Sequence, residues 1–211
     1  ADYTSGGMYL AYLQDVVNDI KVNTENIQNE WISNRDQFVS SSANTATSSL
    51  NKLTNDLIFY YEKGLRANKI GIPVGIFSGS SLPQNVECYY YNLETGNASK
   101  ILLMEAFDAV AKAFNGVSFD GNNGGEGWGS YLQFLNALSN GINLDADINQ
   151  TFSDAIDALE DLDDDLMNQI ITDELQVRAA YDKVQRGTVL LKTDMLGYLN
   201  IDVDYLDADG D

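Results

Sequence analysis

Apolar residues recur at spacings of three, four or seven along most of this chain, and this periodicity constrains the fold more than any other feature. Side chains at these spacings lie on one face of an α-helix, and that face must be covered. The clearest stripe runs from Gly7 to about Val39, and its members are Leu10, Leu13, Val16, Val17, Ile20, Ile27, Trp31 and Phe38. The spacing therefore predicts one long amino-terminal helix.

Similar stripes predict the remaining helices. The second stripe begins at Ala46 and ends at about Leu65. The later helices are predicted at about 101–114, 131–138, 145–167 and 172–199. No run alternates apolar and polar residues as a half-buried strand would. We therefore predict an all-α fold, an antiparallel helical bundle with long helices, in a single domain that spans residues 1–211.

One loop departs from this pattern. The stretch LRANKIGIPVGIFSGSSLPQN, residues 65–85, contains both prolines of the chain, Pro73 and Pro83. Pro73 fixes its own backbone angle, whereas the flanking Gly71 and Gly75 allow angles and close approaches that other residues cannot adopt. We predict an ordered Pro/Gly loop whose apolar side chains fold onto the end of the bundle.

The composition excludes several functions. There are 32 acidic and 12 basic residues, a net charge of −20, which argues against binding nucleic acid or anionic lipid through a basic surface. No stretch approaches the roughly twenty apolar residues needed to cross a bilayer, so we expect no membrane insertion by this chain. A cationic partner remains open. The chain has no histidine, so it supplies neither a histidine-dependent nucleophile nor a histidine-ligated zinc site. No residue is predicted to be catalytic or to ligate a metal, and the sequence names no cofactor.

The densest group of cations lies just before the loop, and carboxylates flank it on both sides. Two interpretations remain open: the cations cap the helix end and form salt bridges, or they form an anion or carboxylate site that the rigid turn borders. The candidate binding residues are Asp56, Glu62, Lys63, Arg66, Lys69, Gly71, Pro73, Gly75 and Glu87.

Three segments resemble one protein family. They are LTNDLIFYYEKGLRANKIGIPVG, then VECYYYN, and finally LLKTDMLGYLNIDVDYLDADGD. In order and approximate spacing they are similar to the imelysin-like proteins, also classed as insulin-cleaving metallopeptidase homologues. The resemblance extends from about Met8 to Asp211.

The resemblance implies a helical protein of the bacterial cell envelope, periplasmic or associated with the outer membrane, often lipid-anchored and linked to iron or haem uptake. Family members consist of two similar helical halves, and this chain resembles the carboxyl-terminal half. The family motif, a glycine followed two residues later by histidine and three further on by glutamate, belongs to the other half and is absent here. The chain is thus either a fragment or a member of a divergent branch.

These observations lead to one expected function and two alternatives. We expect a non-catalytic portion that contributes to a ligand or metal site, shared with an amino-terminal half present as a separate chain or fragment; the ligand would be a metal or an iron-bearing molecule. The first alternative is part of a metallopeptidase whose catalytic ligands lie on the missing half. The second is a stand-alone acidic binding module.

Overall fold

Helices account for nearly all of the regular structure in the computed structural model, which describes residues 7–87 and 98–205. The α-helices are α1 (Gly7–Ser40), α2 (Ser49–Phe59), α3 (Ser99–Phe114), α4 (Trp128–Phe134), α5 (Leu144–Glu160), α6 (Leu166–Thr172), α7 (Glu174–Val189) and α8 (Leu196–Leu199). A π-helical segment, π1 (Tyr60–Gly71), continues α2, and another, π2 (Leu190–Met195), links α7 to α8. The prediction of an all-α fold is confirmed.

The described residues divide into two compact units. The first contains residues 7–43 and 48–50, and therefore α1; the second contains residues 44–47 and the rest of the described chain. That the whole of 1–211 forms one domain stays a prediction. Within residues 7–87 and 98–205, no helix is long and apolar enough to cross a membrane.

Aromatic rings form the centre of the second unit. The rings of Tyr61 and Phe107 lie 5.8 Å apart, and Phe152 lies 5.7 Å from Phe107 and 5.6 Å from Phe114, in edge-to-face arrangements for these three pairs. Such geometry is preferred between aromatic side chains. All four side chains are almost entirely buried, so π1, α3 and α5 pack around one core.

An aspartate and a lysine set two helix boundaries that apolar spacing does not predict. We expected one helix from Asp145 to about Met167, but α5 ends at Glu160 and α6 begins at Leu166. Asp165 caps α6 by accepting a hydrogen bond from the backbone N of Asn168, 3.0 Å away. Lys100 closes the end of α5, because its Nζ donates to the carbonyl oxygen of Glu160 at 2.9 Å.

A small hairpin was not expected from the sequence. Strands β1 (Leu138–Ser139) and β2 (Ile142–Asn143) pair antiparallel. The turn residues Asn140 and Gly141 both have positive φ, 51° and 83°, as the tightest hairpin turns require. Two residues per strand are too few to produce a visible alternation, so only the Asn-Gly pair signals this element.

Candidate functional site

The candidate site lies where the two π-helical segments approach each other. In π1, Ile72 N donates to the carbonyl oxygen of Ala67, five residues earlier, at 2.8 Å. The π-helix is rare and is found frequently at functional sites. π1 packs against α7, and π2 continues α7 directly. The side chains that meet between these elements include a glutamate, an arginine and a lysine.

A buried carboxylate forms the centre of the site. Glu62 on π1 is 2% exposed. The Nζ of Lys192 on π2 donates to both of its carboxylate oxygens, at 3.1 and 3.3 Å. Arg66, one turn further along π1, completes the ion cluster, since its Nη2 lies 3.7 Å from Glu62 Oε1. We call Glu62, Arg66 and Lys192 the ion cluster.

The carboxyl-terminal segment adds a tyrosine to this carboxylate. Tyr205 Oη donates to Glu62 Oε2 at 3.1 Å, and its ring lies 5.1 Å from that of Phe59. Asn55 on α2 fixes the approach of the segment: its Nδ2 donates to the carbonyl of Asp202 and its Oδ1 accepts from Asp204 N. The ion cluster therefore depends on residues from both ends of the second unit.

Arg66 connects the ion cluster to α7 and to the loop. Its Nη1 donates to Tyr181 Oη at 2.8 Å and to Gln185 Oε1. Its guanidinium lies 5.7 Å from the ring centre of Phe77 and 5.8 Å from that of Tyr181, within the range of cation–π attraction. Arg66 is 1% exposed, so these contacts replace water around the charge.

The Pro/Gly loop is ordered and its centre is buried, as the sequence predicts. Val74 has no exposed surface, and Pro73 is also buried. Arg178 on α7 donates to the Val74 carbonyl at 2.8 Å, and Leu82 N donates to that of Pro73 at 2.7 Å. Gly75 has a φ of 77°, and a Cβ there would lie 2.1 Å from the Ser80 carbonyl oxygen. Only glycine fits this position.

The structure places seven of the nine predicted site residues in three groups and leaves two outside them. Glu62 and Arg66 belong to the ion cluster, and Gly71, Pro73 and Gly75 form the adjoining turn, where Tyr181 packs against Gly71. Lys69 and Glu87 form a separate ion pair, 3.2 Å between Nζ and Oε2, nearer the surface. Lys63 is half-buried. Asp56 is exposed on α2 and has no ion pair within the described chain, so it lies apart from the other residues.

Four residues of the site were not predicted: Tyr181, Gln185, Lys192 and Tyr205. They lie 115 to 143 residues from their partners in the sequence, so local spacing does not reveal them. One signal exists for Lys192, which directly follows the apolar run Val189-Leu190-Leu191 in a chain with few cations. Long charged side chains inside apolar runs are buried only when paired.

A neighbouring tyrosine is held neutral. Burial raises the pKa of Tyr61 well above its usual value, and its Oη donates to the Val184 carbonyl oxygen at 2.8 Å. Tyr61 therefore serves as a hydrogen-bond donor that joins π1 to α7. Among the described residues there is also no cluster of three or more histidine, cysteine, aspartate or glutamate side chains placed to hold a metal ion.

These features define a class: a predominantly helical bundle protein with a buried, ion-paired site at two π-helical segments. Comparison with family models places it more narrowly. The imelysin (peptidase M75) model matches residues 1–192 of the 211, so the chain belongs to the imelysin family and the resemblance is confirmed. No protein of curated function and no solved structure matches the chain. Two segments that carry the resemblance, 86–92 and the end of the tail, lie partly outside the described residues.

Proposed function

We propose that this chain is a non-catalytic, ligand-binding portion of an imelysin-family protein of the bacterial cell envelope that serves iron or haem uptake. In this proposal, the ion cluster and the Pro/Gly turn form one side of a site for an iron-bearing ligand. The amino-terminal half of the family, as a separate chain or fragment, forms the other side and supplies the histidine motif. The cell-envelope setting is periplasmic or outer-membrane-associated.

The observation that carries the proposal is the joining of the buried ion cluster to the turn through Arg66. Burying the charges of Glu62 and Arg66 costs more than a hydrophobic core of the same volume would, so the ion cluster is weak evidence for stability alone. Arg66 also contacts Phe77 and Tyr181, which pack at the turn. A ligand that contacts the turn would therefore act on the buried charged residues through Phe77 and Tyr181.

The absence of histidine supports a binding role over catalysis in this chain. A histidine-ligated metal site would have to come from the amino-terminal half of the family. The imelysin family is also named peptidase M75, so peptide cleavage is the second candidate function. A peptide-cleavage assay on the purified chain alone separates the two, because activity in this assay would contradict the non-catalytic assignment.

The test uses two probes, haemin and ferric citrate, titrated into the chain by isothermal calorimetry with and without the histidine-bearing polypeptide. That polypeptide is identified by intact mass and amino-terminal sequencing of the protein isolated from its source. Lys192→Met should weaken binding at least tenfold. The matched control is Lys183→Met, because Lys183 lies on α7 in an exposed pair with Asp154, 3.7 Å apart. Equal affinities in both variants, or a protein isolated without any such polypeptide, would overturn the proposal.

A further inference from the structure

The long helix α1 presents an uncovered apolar face. It has 34 residues, which makes it roughly 50 Å long, and none of them is buried. Ile20, Ile27 and Trp31 are 62%, 70% and 48% exposed. A continuous apolar stripe of this length on a helix surface marks an interaction site.

The stripe has the period of a coiled coil. Its members alternate in steps of three and four residues over four heptads, which is the 3.5-residue repeat of a supercoiled seam. Written as heptad positions, the a residues are Leu10, Val17, Thr24, Trp31 and Phe38, and the d residues are Leu13, Ile20, Ile27 and Asn34. Only Thr24 and Asn34 are polar, so the seam is apolar apart from two layers.

A groove on α1 coincides with this seam. It has a volume of about 400 Å³ and is lined by Asn26, Ile27, Glu30, Trp31, Asn34 and Phe38. Four of these, at 27, 30, 31 and 34, have the relative spacing of a hole that receives one knob from a facing helix. In a symmetric in-register pair, the knob that enters this hole is Trp31 of the second copy. The groove is therefore complementary to the same surface of an identical chain.

We propose that α1 pairs with α1 of a second copy of this chain as a parallel, in-register coiled coil. The flanking charges support this partner. Glu30 occupies a g position and Arg35 the following e position, so each glutamate faces the arginine of the other copy in a parallel pair. The two polar layers also match, because Asn34 meets Asn34 and Thr24 meets Thr24.

An antiparallel pair fits less well. It would set e positions against e positions, and these are Gln14, Lys21, Gln28 and Arg35, which include no acidic side chain. Antiparallel helices also set a positions against d positions, so in the two registers with the longest overlap Asn34 would face the apolar Leu10 or Val17. A buried polar group without a partner is costly, whereas paired asparagines specify register and orientation.

The first test measures the mass of the full chain by sedimentation equilibrium over a concentration series. We expect a dimer of twice the 23.2 kDa chain. Ile20→Lys with Ile27→Lys should weaken dimerisation by about 100-fold or more, because two apolar layers are lost from both copies. The matched control is Val22→Lys with Ile32→Lys, which places the same charges on exposed apolar residues off the seam. A monomer at all concentrations, or equal effects of the two double variants, would overturn the proposal.

The second test fixes the orientation. In a Cys88→Ser background, which removes the one native cysteine, Asn34→Cys should form an intermolecular disulfide on mild oxidation, because facing d positions lie within disulfide range. Asn26→Cys, at a position off the seam, should not form an intermolecular disulfide. In addition, Glu30→Lys should weaken the dimer, and Arg35→Glu on the same chain should restore it. A dimer without the Asn34→Cys cross-link would overturn the parallel register.

Discussion

Glu62 and Lys192 are 130 residues apart in the chain, yet the lysine Nζ lies 3.1 Å from Glu62 Oε1. This contact joins the two π-helical segments. Glu62 is almost fully buried, so its charge is stabilised by protein groups and hardly by water. Removing one member of such a group leaves the others uncompensated.

We therefore predict that Glu62→Gln lowers the free energy of unfolding by about 3–5 kcal/mol, as is typical when one partner of a buried pair is removed. Urea denaturation of Glu62→Gln, Lys192→Met and the double variant should give a coupling energy of about 1–3 kcal/mol. The exposed pair Lys183–Asp154 is the control, and Asp154→Asn should cost about 1 kcal/mol or less. Equal losses at both pairs would contradict a buried, cooperative ion cluster.

A second prediction concerns the contact between π1 and α7. A Cβ on Gly187 would lie 2.2 Å from Tyr61 Oη, so Gly187→Ala should destabilise the protein by about 1–3 kcal/mol through overpacking. Thermal and urea denaturation measure the effect. Tyr61→Phe should recover part of the loss in the double variant, because it removes the nearest atom.

The control for this steric effect is Gly197 on α8. A Cβ there has nothing within 4 Å, so Gly197→Ala should be neutral or should stabilise the helix by up to about 1 kcal/mol. Similar destabilisation at Gly187 and Gly197 would show that backbone propensity, and not the close packing of Tyr61, explains the result.

A third prediction separates two requirements for glycine in the loop. Gly75 and Gly79 both have positive φ, 77° and 72°, but only Gly75 approaches another backbone segment. Gly79→Ala should cost about 1 kcal/mol, the conformational penalty alone. Gly75→Ala should cost clearly more, because its Cβ would collide with the Ser80 carbonyl. Equal shifts in melting temperature would mean that this close approach is not required.

A fourth prediction follows from Asp120, which lies in the glycine-rich segment after α3. Hydrogen bonds from Ser118 Oγ and from Asn122 lower the pKa of Asp120 from 3.8 to about 2. A carboxyl group with a lowered folded-state pKa adds stability that is present above its unfolded pKa and is lost as the pH falls through its folded pKa. The stabilisation should therefore be complete above about pH 4 and absent below about pH 2.

NMR titration of the Asp120 carboxyl carbon measures this pKa directly. Ser118→Ala should move it toward 3.8, and the stability difference between this variant and the parent should shrink as the pH is lowered from 5 to 2. An unchanged Asp120 pKa in Ser118→Ala would show that the hydroxyl does not stabilise the carboxylate. The exposed Ser42→Ala serves as a control without an effect on Asp120.

Sequence periodicity predicts most of the helices because an apolar stripe reports which face is covered, whatever covers it. It also predicts the turn, since Pro73 and the flanking glycines restrict the backbone locally. It does not predict the break after Glu160, because that end depends on Lys100, which is 60 residues away. Periodicity does not predict the hairpin either, because strands of two residues are too short to show an alternation of apolar and polar side chains.

The candidate site is predicted only in part for the same physical reason. Glu62 and Arg66 are four residues apart, so a helix places them together and the sequence shows them as a pair. Lys192, Tyr181 and Tyr205 reach them only through tertiary packing. Nor are residues 60–71 predicted to form a π-helix, because that helix type is rare and the apolar spacing is matched only to steps of three, four and seven.

The wider turns of π1 have a consequence for how this segment can change over time. Five-residue hydrogen bonds place more residues in each turn than an α-helix does, so π1 can take up a change in length by changing its hydrogen bonding. Loss of one residue between Glu62 and the proline corner would be absorbed by a return to four-residue hydrogen bonds, which keeps the turns on either side in register. Glu62 would then still face Lys192, so the ion cluster is expected to tolerate such a deletion.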